Sequence, residues 1–367
     1  MPAWTAIAPP GLEPVVAREL TELGWTVEIE PGAVTFEAPL LEGAPLAGRL
    51  RSPSRLLLQV GKGAVRSLEE AAVLVRKIDW SPYLHPRAEV IVGVSSKGSR
   101  IHRDDTLKKK VENALKDALR PLLGRSSTQR FRPKVSQRIQ MRVVEDRAWV
   151  SIDAGGDDLL HRRGWREATG KAPLRENLAA AMLLAAGWTG DEPLVDPFCG
   201  GGTLPIEAAL LAAGRPPGVG RSYAFEEWPV LLGTRWRGEG AKGGGRRGEA
   251  PIIIGADHDA EAIQAAMANA QRAGVSVQWF HQDVRELEAP APFGLVVANP
   301  PYGLRLGQNV GGMYTTFGNT LRDRFSGWRA LFLTSDPAMA RRVSPRVERL
   351  THFSNGGIPV GLYAVEL

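Results

Sequence analysis

At 367 residues the chain is long enough for two or three domains, and 43% apolar with 23% charged residues is an ordinary globular composition. No apolar run reaches membrane-spanning length, Met1-Pro2-Ala3-Trp4 lacks the regions of a signal peptide, and one cysteine with six scattered histidines predicts neither disulfides nor a metal centre, hence a reducing cytoplasm and no membrane. The charge is uneven: residues 97–142 carry 14 Lys/Arg against 4 Asp/Glu, a net of +10, which points to a polyanion partner over the plainer reading of a solvated basic face.

Residues 1–60 read as a small α+β unit. A strand over 4–8 precedes Leu12, Val15, Val16, Leu20 and Leu23 at helical spacing, with Gly24 as the stop. Strands over 26–29 and 34–36 flank a Pro31-Gly32 turn; a helix over 38–50 and a strand over 55–60 follow. The basic unit, 61–168, opens with a helix capped by Ser67 and carrying Glu69 and Glu70 in its first turn. Next come a strand over 89–95, an amphipathic helix over 106–119 with Lys108, Lys109 and Lys116 off its apolar face, and a hairpin over 137–153 turning at Glu145-Asp146. His161-Arg162-Arg163-Gly164-Trp165-Arg166 interleaves cations with an aromatic, a composition suited to phosphate contact and stacking or to an ordinary surface turn.

From residue 169 the pattern alternates strands (193–196, 252–256, 277–282, 295–298, 330–334) with helices (174–187, 204–213, 259–274), which predicts a mainly parallel sheet. Two last strands, 348–354 and 360–366, flank Asn355-Gly356-Gly357 and predict an antiparallel addition at the sheet's far end. Residues 214–250 read as an irregular insertion, flexible and cationic through 238–248.

Four strand-end motifs carry the chemistry. Asn299-Pro300-Pro301-Tyr302 follows the apolar run 293–298. Pro300 keeps Asn299 out of the helical region, and two successive prolines fix the backbone and remove competing N–H donors. Asn299 Oδ1 and the Pro300 carbonyl then form a rigid acceptor pair beside the Tyr302 ring, which suits a flat guest bearing an NH2 group. Asp196-Pro197-Phe198-Cys199-Gly200-Gly201-Gly202-Thr203 places a glycine-rich turn after a strand, letting backbone approach a nucleoside-containing cofactor, and it departs from the dinucleotide pattern. Asp257 falls where a carboxylate accepts ribose hydroxyls, and Asp283 where one accepts an adenine amine; each alone reads more readily as a helix N-cap or a surface charge, and it is the four strand-end sites in this order that favour a cofactor. Cys199 lies in the cofactor turn while the base-facing position holds Asn299, so it reads as a packing residue and not as a nucleophile.

In this order the motifs resemble those of Rossmann-like, S-adenosylmethionine-dependent N-methyltransferases. Gly11-Leu12-Glu13, Ile78-Asp79-Trp80 and Arg162-Arg163-Gly164-Trp165-Arg166 extend the resemblance to a ferredoxin-like unit plus a THUMP RNA-binding domain. The chain is similar to the THUMP-containing 23S ribosomal RNA guanine-N2 methyltransferases. That resemblance implies an α/β chain with a ferredoxin-like domain at 1–60, a THUMP domain at 61–168 and a methyltransferase domain at 169–367 whose last strand is antiparallel. It implies cofactor contacts from Asp196, Phe198, Gly200, Gly202, Thr203, Asp257, His258, Asp283, Val284 and Asn299. It implies catalysis by Asn299, Pro300 and Tyr302, and RNA contacts from Lys108, Lys109, Arg162, Arg163 and Arg166. The partner is then 23S rRNA or a ribosome-assembly intermediate, met by a monomer. Transfer RNA as substrate, a protein glutamine N-methyltransferase and a noncatalytic RNA chaperone are the competing readings. Guanine N2 and adenine N6 are both planar amines that the residues alone do not separate.

Overall fold

The computed structural model describes residues 1–123, 133–166, 174–218, 220–234, 250–302 and 310–367. The glycine-rich stretch 238–248 lies outside the described residues. Two seven-stranded sheets organise the rest.

The first sheet contains β1 (Ala3–Ile7), β2 (Val27–Glu30), β3 (Ala33–Glu37), β4 (Arg55–Ala64), β5 (Val90–Lys97), β6 (Gln137–Val144) and β7 (Arg147–Asp153), in the order β2-β3-β1-β4-β7-β6-β5. Every pairing is antiparallel except β5 with β6. Helices α1 (Glu13–Glu22), α3 (Leu68–Lys77) and α4 (Asp104–Leu123) pack against it, with α2 (Leu40–Gly43) between β3 and β4. Ser67 caps α3 as its sequence predicts, accepting from the Glu70 amide. The helix expected over 38–50 is broken: α2 gives way to a 3-10 turn over Ala44–Gly48. Pro45 causes this, because it has no N–H to return to the carbonyl four residues back and its ring crowds that carbonyl. The division expected after residue 60 falls inside β4, which pairs with β1 and β7, so both front units share one continuous sheet.

The second sheet holds β8 (Leu194–Asp196), β9 (Ile253–Asp257), β10 (Gln278–His281), β11 (Leu295–Ala298), β12 (Arg329–Thr334), β13 (Glu348–Asn355) and β14 (Ile358–Glu366). Its order is β10-β9-β8-β11-β12-β14-β13, the first five parallel and the last two antiparallel, as the alternation predicts. Helices α5 (Glu176–Ala185), α6 (Thr203–Ala212), α7 (Ala260–Ala273), α8 (Val310–Arg324) and α9 (Pro337–Val343) flank it. From β8 the chain winds outward to β9 and β10, then returns to the other side for β11 and β12. A crevice therefore opens at the carboxyl ends of β8 and β11, where open α/β sheets take their ligands.

The two halves are bound together by chain that the sequence marks as irregular. Short 3-10 turns over Ala224–Glu227 and Pro229–Leu231 carry Tyr223, Phe225, Trp228 and Leu231 into the core of the first sheet. The Trp228 ring stacks on Trp4 with centroids 6.4 Å apart, and its indole N–H donates to Gln137 Oε1 at 3.1 Å. Gln137 in turn donates to the Ala224 carbonyl. The described part of the expected flexible insertion is thus an anchored strap, because four large apolar side chains gain more from burial than the segment loses in freedom. A buried ionic cluster adds to the joint: Arg163 and Arg51 both face Glu207 of α6, and Asn177 of α5 donates to the Ser52 carbonyl.

Candidate active site

Parallel registry lines up the predicted polar residues along one sheet edge. Asp257 ends β9 opposite His281 of β10, and Asp196 ends β8 opposite Gly255. Asn299 follows β11 directly, and Asp283 follows β10 as the cap of a 3-10 turn starting at Val284. Four motifs scattered over a hundred residues thus form one row in the spatial order Asp283, Asp257, Asp196, Asn299.

The glycine turn is built from the inside. Asp196 is 1% exposed and accepts from the Phe198 amide at 3.1 Å. Burial pushes its carboxyl well above the usual carboxylate range, and the nearby Asp257 adds to that. Asp257 Oδ2 accepts from the Gly200 amide at 2.9 Å and its Oδ1 from the Asp259 amide at 3.0 Å, with His258 Nδ1 lying 3.2 Å from Oδ1. A carboxylate has about four acceptor positions, so each oxygen retains capacity for a hydroxyl. Gly200 has φ +50 and no atom within 4 Å of where its Cβ would lie, leaving bare backbone beside Asp257. Gly202 has φ +82 and caps α6; its Cβ would lie 2.7 Å from the Trp279 ring and 3.0 Å from Ala266 Cβ. Phe198 meets Phe317 edge-on at 5.3 Å, and Val284 is buried. The donor set fits an adenosine-bearing cofactor: bare turn backbone, a strand-end carboxylate for hydroxyls, and a second acid one strand further out. Asp283 is held by Arg285, whose guanidinium donates to both carboxylate oxygens at 2.8 and 3.0 Å and pulls its carboxyl below the ordinary value. Cys199 is 6% exposed, and burial, then Asp196 and Asp257, push its thiol well up, which suits packing and not nucleophilic attack.

At the other end of the row, Asn299 Oδ1 is buried and has no hydrogen-bond donor among the described residues. An orphaned buried acceptor costs about 1–3 kcal/mol, and an N–H from a guest removes that cost. Pro300 is buried and Pro301 exposed. The Pro301 carbonyl accepts from the hydroxyl of Tyr314, a fully buried residue of α8.

The structure changes three of the sequence assignments. Tyr302 does not present an open stacking face: it is 4% exposed in the cluster with Leu12 and Leu174, and its hydroxyl accepts from Asn355 Nδ2 at 2.5 Å. Burying the ring while satisfying its hydroxyl is the stable outcome for a tyrosine next to an apolar core. Arg163 is no surface RNA contact; it is 4% exposed and donates to Glu207, the Leu160 carbonyl and the Arg51 carbonyl. Arg166 is likewise committed, pairing with Glu176 and donating to the Leu174 carbonyl and to Thr203 Oγ1 at 2.5 Å. Thr203 therefore serves as the link between that arginine and the cofactor turn. Lys108, Lys109 and Arg162 are exposed. Asn355 and Tyr314, which hold the motif in place, carry no local signal in the sequence: Asn355 reads only as a turn residue.

Among the described residues no helix is long and apolar enough to cross a membrane. Residues 163–363 match the family model UPF0020, described as the RMKL-like methyltransferase domain, and residues 4–57 match the RlmL ferredoxin-like domain. A Synechocystis protein named "Putative RNA methyltransferase" is 34% identical over 97% of this chain and 94% of its own. The "Ribosomal RNA large subunit methyltransferase K/L" of Methylococcus capsulatus is 36% identical over 99% of this chain, which spans 51% of that protein. The chain thus covers nearly all of the first relative and about half of the second. A solved structure described as "a putative methyltransferase complexed with SAH" superposes with a TM-score of 0.88 at 30% identity, over 99% of this chain and 97% of that one. With the family match spanning more than half the sequence and a relative aligned almost end to end, the row of strand-end residues finds its place: the chain belongs to the UPF0020 family of methyltransferases and carries an RlmL-type ferredoxin-like domain in front.

Proposed function

We propose that the chain methylates the exocyclic N2 of a guanine in 23S ribosomal RNA, with S-adenosylmethionine as donor and the target base flipped out of its stack. The observation that carries this reading is the orphaned Asn299 Oδ1 at the carboxyl end of β11. A methyl on a sulfonium is already activated, so the residues around it need to align a nucleophile more than to supply a strong base. Asn299 Oδ1 and the Pro300 carbonyl accept the two N–H bonds of the amine, localising its lone pair and stabilising the positive charge that grows on nitrogen. The methylated nitrogen then sheds its proton to water. Asp257 and the backbone of Gly200 receive the cofactor's ribose side, and Asp283 its base. The K/L relatives support large-subunit rRNA as the substrate, and the front half supplies a THUMP-type RNA grip with Lys108 and Lys109 on the exposed side of α4. Tyr302, with its ring in the core, holds the motif and does not stack on the base.

Incubating naked 23S rRNA with enzyme and labelled S-adenosylmethionine, followed by nucleoside mass spectrometry, yields N2-methylguanosine. Asn299→Ala lowers kcat by about 10²- to 10³-fold, while calorimetry shows donor affinity within a few-fold of wild type. Label on adenine N6, or an Asn299→Ala enzyme at full rate, overturns the reading.

A further inference from the structure

A cavity of about 850 Å³ lies at the junction of the two halves, away from the strand-end row. Its walls are the 158–166 segment that follows β7, the start of α5, and the carboxyl ends of α6 and α7. α6 rises about 15 Å from the cofactor turn to the end that borders this cavity. Among the described residues the lining holds seven arginines and no lysine, against two carboxylates, Asp158 and Glu176.

Part of this charge has a structural explanation. Arg163 and Arg166 are committed as described above, and Arg215 donates to the Ala273 and Gly274 carbonyls at the end of α7. Arg221 donates to the Leu159, Arg162 and Asp158 carbonyls. A carbonyl partner uses up donors without cancelling the cation's charge, so the described lining carries an excess of five positive charges, seven arginines less two acids, which the buried Glu207 behind Arg163 reduces to four. Three of its arginines are exposed: Arg272, which donates to the Trp165 carbonyl and Asn269 Oδ1, and two at the rim, Arg162 and Arg175. The guanidinium of Arg175, the residue before α5, makes no hydrogen bond or ion pair among the described residues. The guanidinium of Arg162 meets, among the described residues, only the exposed carboxylate of Asp158. His161, between them in the lining, registers the field: burial first, then Arg175, Arg163, Arg162 and Arg166, push its imidazole down to about 4.

We propose that this cavity seats backbone phosphates of the RNA substrate, held by Arg162 and Arg175 at the rim, at a site separate from both the methyl-transfer crevice and the basic face of α4. Guanidinium forks match phosphate oxygens two at a time, which a set of lysines does not do. An excess of cations in a concave, partly desolvated site is satisfied by a polyanion, and a site about one helix length from the cofactor turn holds the strand while the target base occupies the crevice. Arg166 spans the two places, lining the cavity and donating to Thr203 at the head of α6.

The inference rests on the RNA reading above, and its test separates the two. Filter binding of an unmodified 23S rRNA transcript is measured from 50 to 200 mM salt with wild type, the double variant Arg162→Ala/Arg175→Ala, and Lys108→Ala/Lys109→Ala. The arginine pair is expected to weaken binding about tenfold and to flatten the salt slope by about 2, one per lost phosphate contact. Donor affinity by calorimetry stays unchanged. Binding within twofold of wild type at an unaltered slope overturns the proposal and leaves the RNA reading standing. A wild type that does not hold the transcript overturns both. Inorganic pyrophosphate, titrated in parallel, distinguishes a seat for small anions: pyrophosphate binding lost in the double variant with transcript binding intact also overturns the RNA assignment.

Discussion

Asn299 and Tyr302 stand three positions apart in one motif and have opposite environments. The first has a buried acceptor with no donor among the described residues; the second has its ring in the core and its hydroxyl bonded to Asn355. The motif's rigidity therefore comes from two places, its own prolines and the side chains that grip it from α8 and β13. Asn355→Ala removes the grip from β13. We expect a stability loss of about 1–3 kcal/mol in urea denaturation and a several-fold fall in kcat with donor affinity unchanged; unaltered kcat would make Asn355 a packing residue only. The acceptor residue was legible in the sequence because its setting is local, an apolar strand followed by two prolines. The burial of Tyr302 was not, because its bond to Asn355 spans 53 residues of chain. The same reason hid the fate of Arg163: a run of arginines beside a tryptophan looks like surface until Glu207, 44 residues on, is seen to meet it.

At the level of elements, the β8–α6 connection sets both the cofactor turn and the packing behind it. Gly200 and Gly202 have left-handed φ values, but only Gly202 is closely covered, by Trp279 and Ala266. Gly202→Ala should therefore cost about 1–3 kcal/mol from overpacking and backbone strain, and weaken donor binding. Gly200→Ala should cost about 1 kcal/mol, the left-handed penalty alone. Paired denaturation and calorimetric titrations check this, and equal effects at the two glycines would contradict the packing argument. The strand alternation of the second sheet was readable because buried parallel strands are short apolar runs ending in polar residues. α8 and α9 gave weaker signals: α8 contains Gly311, Gly312 and Gly318, which dilute the helical pattern. The broken α2 shows the limit in the other direction, where one proline outweighs an otherwise helical composition.

Across the whole molecule, the two sheets are joined by contacts that neither half makes alone. Arg163 and Glu207 are 2% and 0% exposed in their side chains, so removing Arg163 leaves the interior charge of Glu207 only the longer contact to Arg51, at 3.9 Å, among the described residues. Arg163→Ala should lower unfolding free energy by about 3–5 kcal/mol, whereas Arg162→Ala, at the next position but exposed, should change it by about 0.5 kcal/mol or less. Comparable losses in urea denaturation would mean the cluster is not what ties the halves. The strap through Trp228 bears on how the protein is made. The apolar interior of the first sheet includes Tyr223, Phe225, Trp228 and Leu231, which are translated well after β7. During synthesis the nascent amino-terminal region therefore has an unfilled gap beside Trp4 until residue 231 has left the ribosome. Folding on the ribosome is then not a simple procession from first domain to last, and the newborn amino-terminal half depends on the polypeptide behind it for its final closure.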